Sequence, residues 1–152
     1  MGARERKAKP AAWLACFCMG LLALHGGAAK AQANPFDGRW KVVQHCPPRD
    51  GVDGVDGAKG YTQYFDVEVI NGELRGAQGT PGEPGWFELR GTVAPDGTAA
   101  LRRSGLVSNT DFAINQAPRG KAYSFRVSAK FEGAAGIGQR MSGRPCEFRF
   151  SR

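Results

Sequence analysis

Phe36-Asp-Gly-Arg-Trp40-Lys-Val-Val-Gln-His-Cys46 and Cys146-Glu-Phe-Arg-Phe-Ser-Arg152 decide how the rest of the chain is read. In the first stretch Trp40, Val42, Gln44 and Cys46 alternate with Lys41, Val43 and His45. In the second Cys146, Phe148 and Phe150 alternate with Glu147 and Arg149. A period of two marks a half-buried strand, so each sulfur falls on the face that its strand turns to the core. If the two sulfurs are bonded, the first and last strands lie side by side, and the sheet between them must be closed or nearly so.

Further strands are read from the same alternation. Phe65, Val67 and Val69 alternate with Tyr64, Asp66 and Glu68 and run into Asn71-Gly72, the strongest two-residue hairpin signal. A returning strand over 73–79, a strand over 86–93 with Phe87, Leu89 and Val93 on one face, the turn Pro95-Asp96-Gly97 and a strand over 98–107 anchored by Leu101 follow. Residues 108–120 read as a long loop with room for a short strand near 111–114. The span 121–131 carries Tyr123, Phe125, Val127, Ala129 and Phe131 on one face, and 133–143 reads as a glycine-rich loop. No stretch has a useful helical period. The expected architecture is an all-β antiparallel meander of seven to eight strands closed into a small barrel, with a sandwich as the alternative. A barrel of this size is either filled by its own side chains or holds one ligand, and the count of inward aromatics favours a filled one.

The opening of the chain has the layout of a secretory signal peptide. Arg4, Arg6, Lys7 and Lys9 precede an apolar core over 11–24, and small residues end at Ala31-Gln-Ala33. The core runs about 14 residues against the roughly 20 that a membrane span requires. The expectation is therefore a signal peptide over 1–33, one domain over 34–152, and a periplasmic or secreted location with no membrane span after cleavage. Of the 21 Lys and Arg and 14 Asp and Glu, five cations and one anion fall before Asn34, which leaves a formal charge of +3. So mild a surplus calls for no nucleic-acid partner. Cys16 and Cys18 leave with the leader, and the remaining pair, Cys46 and Cys146, reads as one long-range disulfide of an oxidising compartment.

The spacing of Phe36-Asp-Gly-Arg-Trp40, Cys46, Gly60-Tyr61, Pro84-Gly85-Trp86, Asp96-Gly97, Tyr123-Ser124 and Arg144-Pro-Cys146-Glu-Phe148 resembles a family of small exported, β-rich proteins of alphaproteobacteria. No activity is assigned to that family. The resemblance implies export and a shared fold, and supplies no catalytic residue.

The residue inventory is poor in catalytic sets. His45 is the only histidine after the leader, so neither a Ser/His/Asp nor a Cys/His arrangement can be built, and a zinc site lacks donors. Gly133-Ala-Ala-Gly-Ile-Gly138 has neither the order of a dinucleotide-binding loop nor a helix after it. Asp50, Asp53 and Asp56 recur every third residue. In a polyproline-like segment they share one ridge where calcium could relieve their repulsion, although the spacing is not that of an EF-hand. No other cofactor is expected. Trp86, Arg90, Arg102 and Arg103 are candidate contacts to a ligand or partner. The competing reading makes Trp86 a packing residue, and makes these arginines, with Arg126, Arg140 and Arg144, charged outer positions of the barrel. The expectation is a non-enzymatic exported binding module whose loops hold a small ligand or an envelope protein. The alternatives are a hydrolase of envelope polymers using Asp66 and Glu68, and a structural envelope protein.

Overall fold

The computed structural model describes residues 33–50 and 57–152. Eight antiparallel strands follow one another around a closed barrel: β1 (Gly38–Cys46), β2 (Tyr61–Ile70), β3 (Glu73–Gln78), β4 (Phe87–Val93), β5 (Thr98–Leu106), β6 (Ala122–Glu132), β7 (Ala135–Arg140) and β8 (Glu147–Ser151). β1 pairs with β8 over Lys41–His45, and Cys46 is bonded to Cys146 where the first strand ends and the last is about to begin. Closure leaves no free sheet edge. Among the described residues no helix is long and apolar enough to cross a membrane.

β7 corrects the reading of 133–143 as a loop. Its inward positions are Gly136 and Gly138 and its one large apolar residue, Ile137, faces outward, so no inward apolar side chain betrays an alternation. The glycines are needed for packing. A Cβ on Gly136 would come 3.0 Å from the Phe131 ring, and one on Gly138 would come 3.0 Å from the Ala129 methyl. The sheet therefore passes closely over the large side chains of β6. Residues 111–114 form no strand either; two 3-10 turns, Thr110–Phe112 and Ile114–Gln116, occupy that part of the loop.

Up-and-down order puts all connections of one kind at one end. At the narrow end β2 and β3 are joined by Asn71-Gly72, whose φ values of 52° and 78° are the paired left-handed conformations of a type I′ turn. Residues 94–97 and 133–134 make the other two turns there. The segment before β1 folds under this end. Asn34 donates to the Val93 carbonyl at 2.6 Å, the Asp37 carboxylate accepts from the Gly72 amide at 2.9 Å, and Phe36 packs on Phe131. Trp40, 1 % exposed, donates from Nε1 to the Phe36 carbonyl at 2.9 Å and meets Phe131 edge-on. Arg152 lies over the Trp40 ring and donates to the carbonyls of Asp37 and Pro35, both at 2.9 Å. With Phe150, Val69, Leu74 and Val93 also buried, apolar side chains fill the interior of this half, and the hollow of about 620 Å³ beside it is bordered mainly by outward residues such as Arg39, Lys41, Asp66 and Glu68. At roughly 1.5–3 kcal/mol for each large apolar side chain, its burial is the main source of the barrel's stability.

The wide end carries the long connections: 47–60, 79–86, 107–121 and 141–146. The Cys46–Cys146 bridge sits here, with both residues fully buried.

Candidate functional site

The wide end is not filled. A cavity of about 400 Å³ opens among the long loops, so the expectation of a filled interior holds for only half of the barrel. Its walls are the ends of five strands together with the 107–117 loop. Tyr61 and Gln63 come from β2, Phe87 from β4, Arg103 from β5, Tyr123 and Phe125 from β6 and Arg140 from β7, while Phe112 and Ile114 line it from the loop.

Arg103 corrects the assignment of the arginine cluster to the outer surface. In β5 the residues Ala99, Leu101, Arg103 and Gly105 share the buried parity, which Val107 continues just past the strand, and Arg103 is 2 % exposed. Its guanidinium carbon is 3.8 Å from the centroid of the Phe87 ring and 5.5 Å from that of Phe65. One nitrogen, Nη2, donates to the Gln63 side-chain oxygen at 2.7 Å. Nε and Nη1 have no acceptor among the described residues.

Arg144 departs from the outer surface as well. It is 2 % exposed and donates to main-chain oxygens of two connections, 47–60 and 107–121: Pro47 from Nε and Nη2 (2.9 and 2.6 Å), Lys59 from Nη2 (2.5 Å) and Phe112 from Nη1 (3.0 Å). Among the described residues its charge is met by carbonyl dipoles, with no carboxylate in contact, and it ties these two connections to its own, 141–146. Arg140 packs over the Phe125 ring at 4.1 Å and donates from Nε to the Ser142 carbonyl at 2.7 Å. Burial pulls both Arg140 and Arg144 below the usual guanidinium value, and the Tyr61 hydroxyl partly offsets this for each. Burial pushes the Tyr61 phenol above its ordinary 10.0, opposed by the charge of Arg103. Its hydroxyl accepts from the Gln44 side-chain amide at 3.0 Å, and Gln44, wholly buried, also donates to Cys46 Sγ.

Among the described residues the wall thus holds three arginines and no Asp or Glu. Aromatic faces complete it: Tyr123 stacks on Phe125 with 15° between the planes, and Phe112 meets Tyr61 edge-on.

The other candidates are not gathered at this site. Trp86 is half-buried just ahead of β4, where its carbonyl accepts from the Leu106 amide at 2.9 Å. Arg90 and Arg102 are exposed on the outer wall and directly opposed in the β4–β5 ladder. The register continues on both sides, giving an outward row Arg75, Arg90, Arg102, Arg126 across four strands. Arg75 and Arg90 reach Glu73 and Glu88, and Arg102 donates to Ser124. Like charges facing one another across a ladder destabilise it. Arg102→Glu, between two arginines, is therefore expected to raise stability by about 0.5 kcal/mol in thermal unfolding at low salt, and the gain should shrink as salt is added.

Asp66 and Glu68 lie on the outer wall, facing Lys41 and Arg39 across the β1–β2 ladder. Asp53 and Asp56 fall outside the described residues, and Asp50 is exposed beside the Arg49–Ala58 bridge. Residues 1–32 of the expected leader also fall outside them. His45 is exposed, with Nδ1 3.0 Å from the Thr62 hydroxyl. Comparison with protein-family models, curated proteins and solved structures finds no match for this chain.

Proposed function

We propose that this protein is a non-enzymatic binding module that holds one small molecule in the wide end of its barrel. The carrying observation is the contrast between the two halves: buried apolar side chains fill the interior of one, and the other keeps a cavity of about 400 Å³ framed by the long connections. Ligand sites are commonly concave, largely apolar pockets of ~300–1,000 Å³ with a few placed polar groups. A filled eight-stranded barrel would be the more stable object, because a void forfeits packing contacts. The disulfide supports a setting outside the reducing cytoplasm, where a rigid scaffold with adaptable loops can meet solutes of the cell envelope.

A thermal-shift screen of small molecules tests the reading, with Ala117→Trp as the control. Ala117 lines the mouth, and an indole there occupies the space a ligand would need. The expected result is a set of compounds that raise the melting temperature of the native protein and leave the variant unchanged. Equal stabilisation of both proteins, or none by any compound alongside capture of an envelope protein by the loops, would contradict it.

A further inference from the structure

We propose that the molecule held in the cavity is a small monocarboxylate with an aromatic or branched apolar body, and that Arg103 is the residue that pairs with its carboxylate. This rests on the cavity being a ligand site. The three arginines of the wall are not equivalent. Arg144 is saturated by carbonyls of the loops it ties. Arg140 is partly committed to Ser142 and to the Phe125 face. Arg103 has a single protein acceptor, two nitrogens without one, and 2 % exposure.

A buried cation with so few partners weakens a fold. The inward positions on either side of it in β5, Leu101 and Gly105, show that this face of the strand accepts apolar or absent side chains. A leucine or methionine at 103 would pack on Phe65 and Phe87 without that loss. The charge is accounted for if the protein's working state includes an acceptor supplied from outside.

The chemistry of the acceptor follows from the wall. Among the described residues no Asp or Glu lines the cavity, so an anion meets no like charge from them, whereas an organic cation would face three guanidinium groups. A carboxylate brings one charge and two acceptor oxygens, suited to planar guanidinium donors. The rest of the guest lies against flat faces: Phe87 beneath Arg103, Phe125 beneath Arg140, and Tyr123 stacked on Phe125. Apolar ring surface is buried there without a polar group left unpaired, which a sugar or a polyol would not achieve.

Titration calorimetry with 1-naphthoate and its neutral isostere 1-naphthamide tests the assignment on the native protein, Arg103→Met, Arg103→Lys and Arg102→Met. Naphthoate is expected to bind the native protein roughly 10- to 100-fold more tightly than the amide, the worth of a charge-assisted pair. In Arg103→Met the two affinities should converge through loss of naphthoate binding, with amide binding kept. Arg103→Lys should retain part of the preference, and Arg102→Met, one residue away on the outer wall, should match the native protein. Equal affinity of acid and amide for the native protein would overturn the carboxylate assignment and leave the cavity reading standing. A preference that survives in Arg103→Met would overturn the role of Arg103. The comparison on the native protein decides the ligand class even if a variant does not fold. Failure of every small molecule in the screen would instead remove the cavity reading beneath it.

Discussion

Replacing Cys46 and Cys146 together by alanine is expected to lower the free energy of unfolding by roughly 3–5 kcal/mol, near the ~4.7 kcal/mol that the chain-entropy model assigns to a loop of about 100 residues. The sequence separation of the pair is 100, and the bond lies at the wide end, where it joins the start of connection 47–60 to the end of connection 141–146. Two effects add to the entropic one. The Gln44 amide loses its contact to Cys46 Sγ, and two wholly buried positions lose volume. For a domain whose net stability is on the order of 5–15 kcal/mol, that is a large share. Denaturant unfolding of the oxidised protein against the double variant measures it. A loss below about 1 kcal/mol would mean that the β1–β8 ladder alone holds the barrel shut.

The second large effect is expected at Arg144. Arg144→Met should cost about 3–5 kcal/mol, at roughly 1–3 kcal/mol for each buried carbonyl left without a donor, because those of Pro47, Lys59 and Phe112 lose their common one. The loss is local in origin. Hydrogen exchange should quicken in the amides of the 107–117 loop while those of β1 and β8 near Trp40 stay protected. Arg144→Lys should recover less than half of the stability, since one ammonium cannot span three carbonyl positions that a planar guanidinium reaches at once. A fully stable Arg144→Met protein would show that the loops are held by their own contacts, such as the Lys59 amide to the Asp111 carbonyl.

The barrel was legible from parity. β1, β2, β6 and β8 alternate cleanly in the sequence, and each inward residue named from that alternation is buried or, for Tyr123, partly buried. β7 escaped because its inward positions are glycines, which mark a strand by the closeness of its neighbour and not by hydropathy. Arg103 was misread for a different reason. The alternation through Leu101 and Val107 put it inside, yet its charge argued for the surface; register settled the matter, because one slip would turn every β5 side chain to the wrong face. A charged residue at an inward parity position is the signal that could have found the site. Arg144 carried no such signal, since it sits in an aperiodic loop and acts through backbone groups of two other connections. The aromatic count pointed to a filled interior because a count is blind to position along the barrel axis. Trp40, Phe36, Phe131 and Phe150 gather at one end, and the space at the other is left over.

The most direct measurement for the central claim is the NMR signal of the Arg103 Nε–Hε group, assigned by its absence in Arg103→Met and followed while 1-naphthoate is added. If a carboxylate enters the wide end and pairs with this residue, the signal moves and its proton becomes slow to exchange with solvent, and 1-naphthamide produces neither change. An Arg103 signal indifferent to saturating naphthoate, with shifts confined to the outer row of Arg75, Arg90, Arg102 and Arg126, would contradict it.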